Sequence, residues 1–119
     1  MKPSQVHSLD KLFSELIRLR ANGFCEHCHK YVKIEGIVAS HFYGRVRKSV
    51  RWDEENVQGI CNECHLAFHN DHTDYFNWLF VRLGAERLCA LADRAEVPTK
   101  LDYITVKSQL QNRIQELGG

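Results

Sequence analysis

A chain of 119 residues leads us to expect one domain with a modest core, since a chain this short buries only about two thirds of the surface it exposes when unfolded. Its composition, 44% hydrophobic and 26% charged, argues against disorder, and no stretch approaches transmembrane length. The net charge of +1 indicates no class of partner by itself, so any electrostatic role must be local.

Residues 1–20 mix charged and apolar side chains without the apolar block of a secretory leader, so the expected compartment is cytoplasmic and reducing. The first helix is expected over residues 8–22. Leu9, Leu12, Phe13, Leu16 and Ile17 recur on one face, Ser8 is a candidate N-cap, and Gly23 can end it. Its cations Lys11, Arg18 and Arg20 are candidates to approach an anionic partner. Next comes Cys25-Glu26-His27-Cys28, the first of two Cys-x-x-Cys turns; Cys61-Asn62-Glu63-Cys64 is the second. Each turn presents two thiolates at the spacing one zinc ion requires, and two turns close a four-sulfur shell. In a reducing compartment close cysteine pairs more often bind metal than form disulfides. With no open coordination position, such a zinc is structural. Cys25, Cys28, Cys61 and Cys64 are therefore its expected ligands, and His27 and His29 are not needed.

Tyr31 to Ile34 reads as a short strand turned at Glu35-Gly36. A second apolar segment, Gly36 to Phe42, reads as a strand with His41 at its end. The loop Arg45-Val46-Arg47-Lys48-Ser49-Val50-Arg51 then carries four cations and no acid, which suits phosphate contact. Asp53-Glu54-Glu55 is expected to face away from that surface or to pair with arginines. Val57 to Ile60 reads as a strand and Cys61 to Asn70 as a helix. On that helix His65 and His69 stand four residues apart, on one face, where they can share a cation. A helix capped by Thr73 and running to Leu83 has so few polar positions that burial on most sides is expected. A further helix from Ala85 to Ala95 puts Leu88, Cys89, Leu91 and Ala92 inward, with Cys89 as a packed thiol. The last helix, Leu101 to Leu117, carries Ile104, Leu110, Ile114 and Leu117 on one face, with docking, dimerisation or contact with DNA all open to it.

The separations among His41, Asn56, His65 and His69 resemble those of the ββα-metal, or HNH, nuclease family. His41 falls on that family's catalytic histidine, Asn56 on its central asparagine and His65 on its final histidine, while His69 falls on the extra metal histidine of colicin-type members. The strings Ala39-Ser40-His41-Phe42, Arg51-Trp52-Asp53-Glu54-Glu55-Asn56-Val57 and Cys61-x-x-Cys64-His65 are similar to phage recombination nucleases of the lambda NinG (Rap) type. That narrower likeness spans roughly Cys25 to Ala95. Ser40 departs from the common pattern, standing where most members carry a metal-binding Asp or His. The resemblance implies an α+β fold, a zinc-stabilised ββα-metal core at 23–72 between an N-terminal helix and C-terminal helices at 73–97 and 98–119. It also implies a DNA endonuclease of recombination, branched or single-stranded intermediates. In that reading His41 is the general base, Asn56 a brace, and His65 with His69 the ligands of a catalytic Mg, Mn, Ni or Zn ion. Arg45, Arg47, Lys48 and Arg51 hold phosphates. Expected partners are DNA, a second copy of the chain, and phage or host recombination proteins. The alternative reading is a catalytically inactive zinc module that binds DNA or a recombination partner.

Overall fold

Pro3 opens the first helix, α1 (Pro3–Ala21), because the N–H that proline lacks has no partner in a first helical turn. The computed structural model, which describes residues 1–119, thus starts this helix five residues before the expected Ser8. The Gln5 side chain accepts the Lys2 N–H at 2.8 Å, replacing Ser8 as the capping interaction. At the other end Asn22 takes a left-handed conformation (φ 53°) and donates its N–H to the Arg18 carbonyl.

Two strands follow, β1 (Val38–His41) and β2 (Val57–Ile60), paired antiparallel with Val38 opposite Ile60 and His41 opposite Val57. Side chains alternate across this sheet. Ala39 and Val57 pack on α1, and the His41 ring comes within 6.4 Å of Phe13. Ser40 and Ile60 face the opposite way. Gly59 is where α1 comes closest: a Cβ there would meet Ala21, Ile17 and Ile37 at 3.0–3.1 Å.

Four more helices complete the chain: α2 (Asn62–Asn70), α3 (His72–Leu83), α4 (Ala85–Glu96) and α5 (Tyr103–Glu116). The core has two halves. Leu9, Phe13, Leu16 and Ile17 of α1 meet Val106, Leu110 and Ile114 of α5 on one side of the sheet. On the other, Phe42, Val50 and Ile60 pack with Phe68, Tyr75, Leu79, Leu88, Leu91 and three of the cysteines. Of the roles left open for the last helix, docking onto α1 is the one its buried face fulfils. The architecture is α+β, and no helix is long and apolar enough to cross a membrane.

Three local expectations give way. The strand over Tyr31–Ile34 shrinks to one bridge between Phe24 and Tyr31, since Lys33 adopts φ 65° and residues 34–36 form a 3₁₀ turn. Helix α3 begins at His72, with Asp71 rather than Thr73 as cap, its carboxylate accepting the Asp74 N–H at 3.0 Å. Its apolar character is not matched by burial. Only Tyr75 and Leu79 are buried, while Phe76, Phe80 and Val81 are exposed, because α3 is packed against α2 and α4 and left open elsewhere. Cys89 is likewise exposed: the inward face of α4 runs through Leu88, Leu91 and Ala95 instead.

Candidate functional site

The four cysteines of the two Cys-x-x-Cys turns converge, with every Sγ within 4.8 Å of the others. No disulfide links them. Tetrahedral zinc has metal–sulfur bonds of about 2.3 Å, which makes the sulfur–sulfur edge about 3.8 Å; Cys28 Sγ and Cys61 Sγ lie 3.8 Å apart. Spacing and donor chemistry both suit a metal ion such as zinc. Burial works against the Cys25 thiolate, yet the backbone amides of Cys28, Cys61 and His27 outweigh it and bring this thiol down to about 7. Burial and the three neighbouring thiols push Cys64 up, so a cation is what allows all four to ionise together. His27 stands beside this set with its Nδ1 3.1 Å from Cys64 Sγ, the arrangement of an imidazole N–H given to a thiolate.

A second site lies where β1 ends against α2 and α3. Ser40, His41, His65, Phe68, His69, His72 and Tyr75 line a small cavity of about 110 Å³. The strand carries His41 to its rim, and the helical i,i+4 spacing brings His65 and His69 to the same space. His41 Nε2 is 3.0 Å from the Arg51 carbonyl oxygen. A carbonyl only accepts, so Nε2 carries the proton and, in the neutral ring, Nδ1 is the free acceptor. Burial holds the His41 imidazole below its usual range, and the Arg45 charge acts in the same sense, although the Arg51 carbonyl and Asp10 oppose them.

Arg51 is held in turn. Its guanidinium spans the Asp10 carboxylate at 2.9 and 2.6 Å, and Asp10 also accepts Trp52 Nε1–H at 2.9 Å. Grouped by sequence with the loop cations, Arg51 is instead an internal clamp whose side chain is only 17% exposed. Arg20 turns inward as well, binding Glu26 and the carbonyls of Glu54 and Val57, whereas Arg18 stays exposed while donating to the Ile37 carbonyl. Arg45, Arg47 and Lys48 are exposed and take part in no ion pair. The acidic run pairs with arginines throughout, Asp53 with Arg94, Glu54 with Arg20 and Arg113, and Glu55 with Arg87 and Arg94.

Asn56 is fully buried. Its Oδ1 accepts the Tyr43 N–H at 2.8 Å, and its Nδ2 donates to the carbonyls of Tyr43 and Val50, both at 3.0 Å. Both ends of the cationic loop are thereby tied to one amide. Ser40 is buried too, and its Oγ and carbonyl each accept from the Tyr75 hydroxyl at 3.1 Å. Burial pushes the Tyr75 phenol up to about 12, so it remains a donor.

Whether a cation fits between His65 and His69 can be judged from the residues present. His65 Nδ1 is buried without a hydrogen-bond partner, the kind of orphan that a cation or water satisfies. The four-cysteine cluster is the one place where three or more metal-ligating atoms come within 4.8 Å of each other, so the histidines form no closed cage. An ion there would rest on two imidazoles and complete its shell with oxygens from outside the protein. His72 and Tyr75 are cavity residues that the sequence reading passed over. His72 continues the i,i+4,i+7 series from His65 and His69, a signal broken by Asp71, which ends one helix and caps the next.

Known proteins add no identification. A scan against protein-family models, a search of curated proteins and a search of solved structures each return no match to this chain.

Proposed function

We propose that the chain is a metal-dependent endonuclease that hydrolyses DNA phosphodiester bonds, with His41 as general base, built on a zinc-stabilised ββα-metal core. The observation that carries the proposal is the 110 Å³ cavity in which a strand-end histidine of fixed tautomer meets two histidines of the following helix. His41 Nδ1 takes the proton from an attacking water, and the Arg51 carbonyl steadies the imidazolium that results. A low His41 pKa keeps that nitrogen free near neutral pH. His65 and His69 would hold a divalent cation, which would supply Lewis-acid stabilisation of the charge that develops on the phosphate. Two imidazoles favour Zn, Ni, Co or Mn over Mg, which prefers oxygens. Asn56 keeps the loop at the distance its cations need, and Arg45, Arg47 and Lys48 bind the flanking phosphates. The substrate class implied by the family resemblance is a phage recombination intermediate, branched or single-stranded.

One observation favours the second reading, an inactive zinc module that binds DNA. The hydroxyl of Ser40 is engaged by Tyr75, so β1 offers no metal ligand beside His41. Incubation with plasmid, linear, single-stranded and four-way-junction DNA across a panel of divalent metals separates the two. Cleavage that disappears on stripping the weakly held cation and returns with Mn or Ni supports the enzyme. Binding without cleavage under every metal supports the module.

A further inference from the structure

The aromatic surface of α3 is what the proposed chemistry leaves unused. His72, Phe76 and Phe80 follow one another at intervals of four residues along one side of this helix, beginning at the cavity that His72 lines. His72 stacks on Phe42, the residue after His41, with ring centres 4.8 Å apart and planes 24° apart. Phe76 lies 6.4 Å from Phe42, and Phe80 is 6.3 Å from Phe76. The result is a row of rings leading out from the histidine cavity. Phe76 is 43% exposed, Phe80 46% and the adjoining Val81 82%, so the outer part of the row has no cover.

Resting on the nuclease reading above, we infer that this row is a stacking platform for unpaired bases next to the scissile phosphate. Its size argues against a second copy of the chain as the occupant. Two half-exposed phenyl rings and a valine offer on the order of 300 Å², well short of the ~800 Å² per partner that a stable dimer buries. Charge points the same way. The row starts at the cavity that His41 lines. His41 Nε2 lies 3.0 Å from the Arg51 carbonyl, and the Arg51 guanidinium donates to the Arg45 carbonyl at 3.4 Å. The exposed Arg45 cation thus stands near the head of the row, where phosphates and bases of one strand meet cation and rings together. The acids at this end of α3 are its cap Asp71, whose carboxylate is taken up by the Asp74 N–H, and Asp74 in the first turn. Paired bases cannot reach the rings, because a duplex hides the faces that stack. The platform therefore selects strands that are already open.

Oligonucleotides carrying 2-aminopurine, titrated single-stranded and as duplex with the protein lacking added divalent cation, test this. The expected result is quenching on the single strand only. Replacing Phe76 and Phe80 together by Leu, which keeps the apolar volume but removes the aromatic faces, should weaken single-strand binding by at least roughly tenfold and leave duplex binding unchanged. Phe76→Tyr should retain it. Equal single-strand affinity in F76L/F80L and wild type overturns the platform while leaving the nuclease reading intact. So does a sedimentation-detected dimer of the wild type that those substitutions dissolve. Wild-type protein that binds neither form at low salt overturns the nuclease reading itself.

Discussion

His41 is the residue on which the proposed chemistry and the stability of the fold meet. Its folded-state pKa lies below the value of about 6.5 it has when unfolded, so between those two values the unfolded chain binds more protons. Stability therefore falls as pH drops through about 6.5 and levels off below the folded value. Urea unfolding at several pH values should show this slope in wild type and a shallower one in His41→Asn. The acid limb of any cleavage profile should lie below pH 6.5. In Arg45→Ala it should move upward, because the arginine charge opposes protonation of His41.

Asn56 and Asp10 hold that histidine's surroundings. Asn56→Ala orphans the Tyr43 N–H and carbonyl and leaves the Val50 carbonyl with the Asp53 N–H alone. At about 1–3 kcal/mol for each of the two orphans, the loss should be at least ~2 kcal/mol in chemical denaturation. Asp10→Asn removes the charge that clamps Arg51, whose carbonyl orients His41, and should cost about 1.5–3 kcal/mol. Asn56 was legible in the sequence as a brace because an amide can both donate and accept. Asp10 was not, since its partners Arg51 and Trp52 are more than 40 residues away and nothing local marks it.

Among the elements, the two strands and the helices after Cys61 could be read from periodicity, and β2 fell on Val57 to Ile60 as expected. The failures have local causes. Lys33 in a left-handed conformation cuts the strand foreseen at Tyr31, and Pro3 outranks Ser8 as a helix start. Periodicity also measures apolarity and not partners: α3 is aromatic on faces that no other element covers. The contact between α1 and β2 depends on Gly59 having no side chain. Gly59→Val should force Ile17, Ala21 and Ile37 apart, lowering stability by about 1–3 kcal/mol and disturbing the strand that pairs with His41. Thermal unfolding of Gly59→Ala and Gly59→Val should show the larger drop for valine.

At the scale of the molecule, three of the four clustered cysteines belong to the same core half as Phe68 and Tyr75, which line the histidine cavity, and Phe42, which stacks on its His72. Structural zinc in small domains contributes roughly 10–16 kcal/mol, comparable to the whole stability of a domain this size. A chelator strong enough to strip zinc, or Cys25→Ser, should abolish the cooperative unfolding transition and collapse the near-UV circular dichroism of the packed aromatics. The Cys-x-x-Cys spacing announced this cluster in the sequence; pairing of Asp53–Glu55 with arginines was also expected, but the partners, on α1, α4 and α5, are distant in sequence and not the neighbouring ones.

The most direct measurement compares wild type and His41→Ala in parallel, scoring DNA cleavage in Mn and DNA affinity without it. Wild type should cut, and His41→Ala should bind with unchanged affinity but cut at least ~100-fold more slowly, the loss of a general base. Equal cleavage by the two proteins would contradict a catalytic His41.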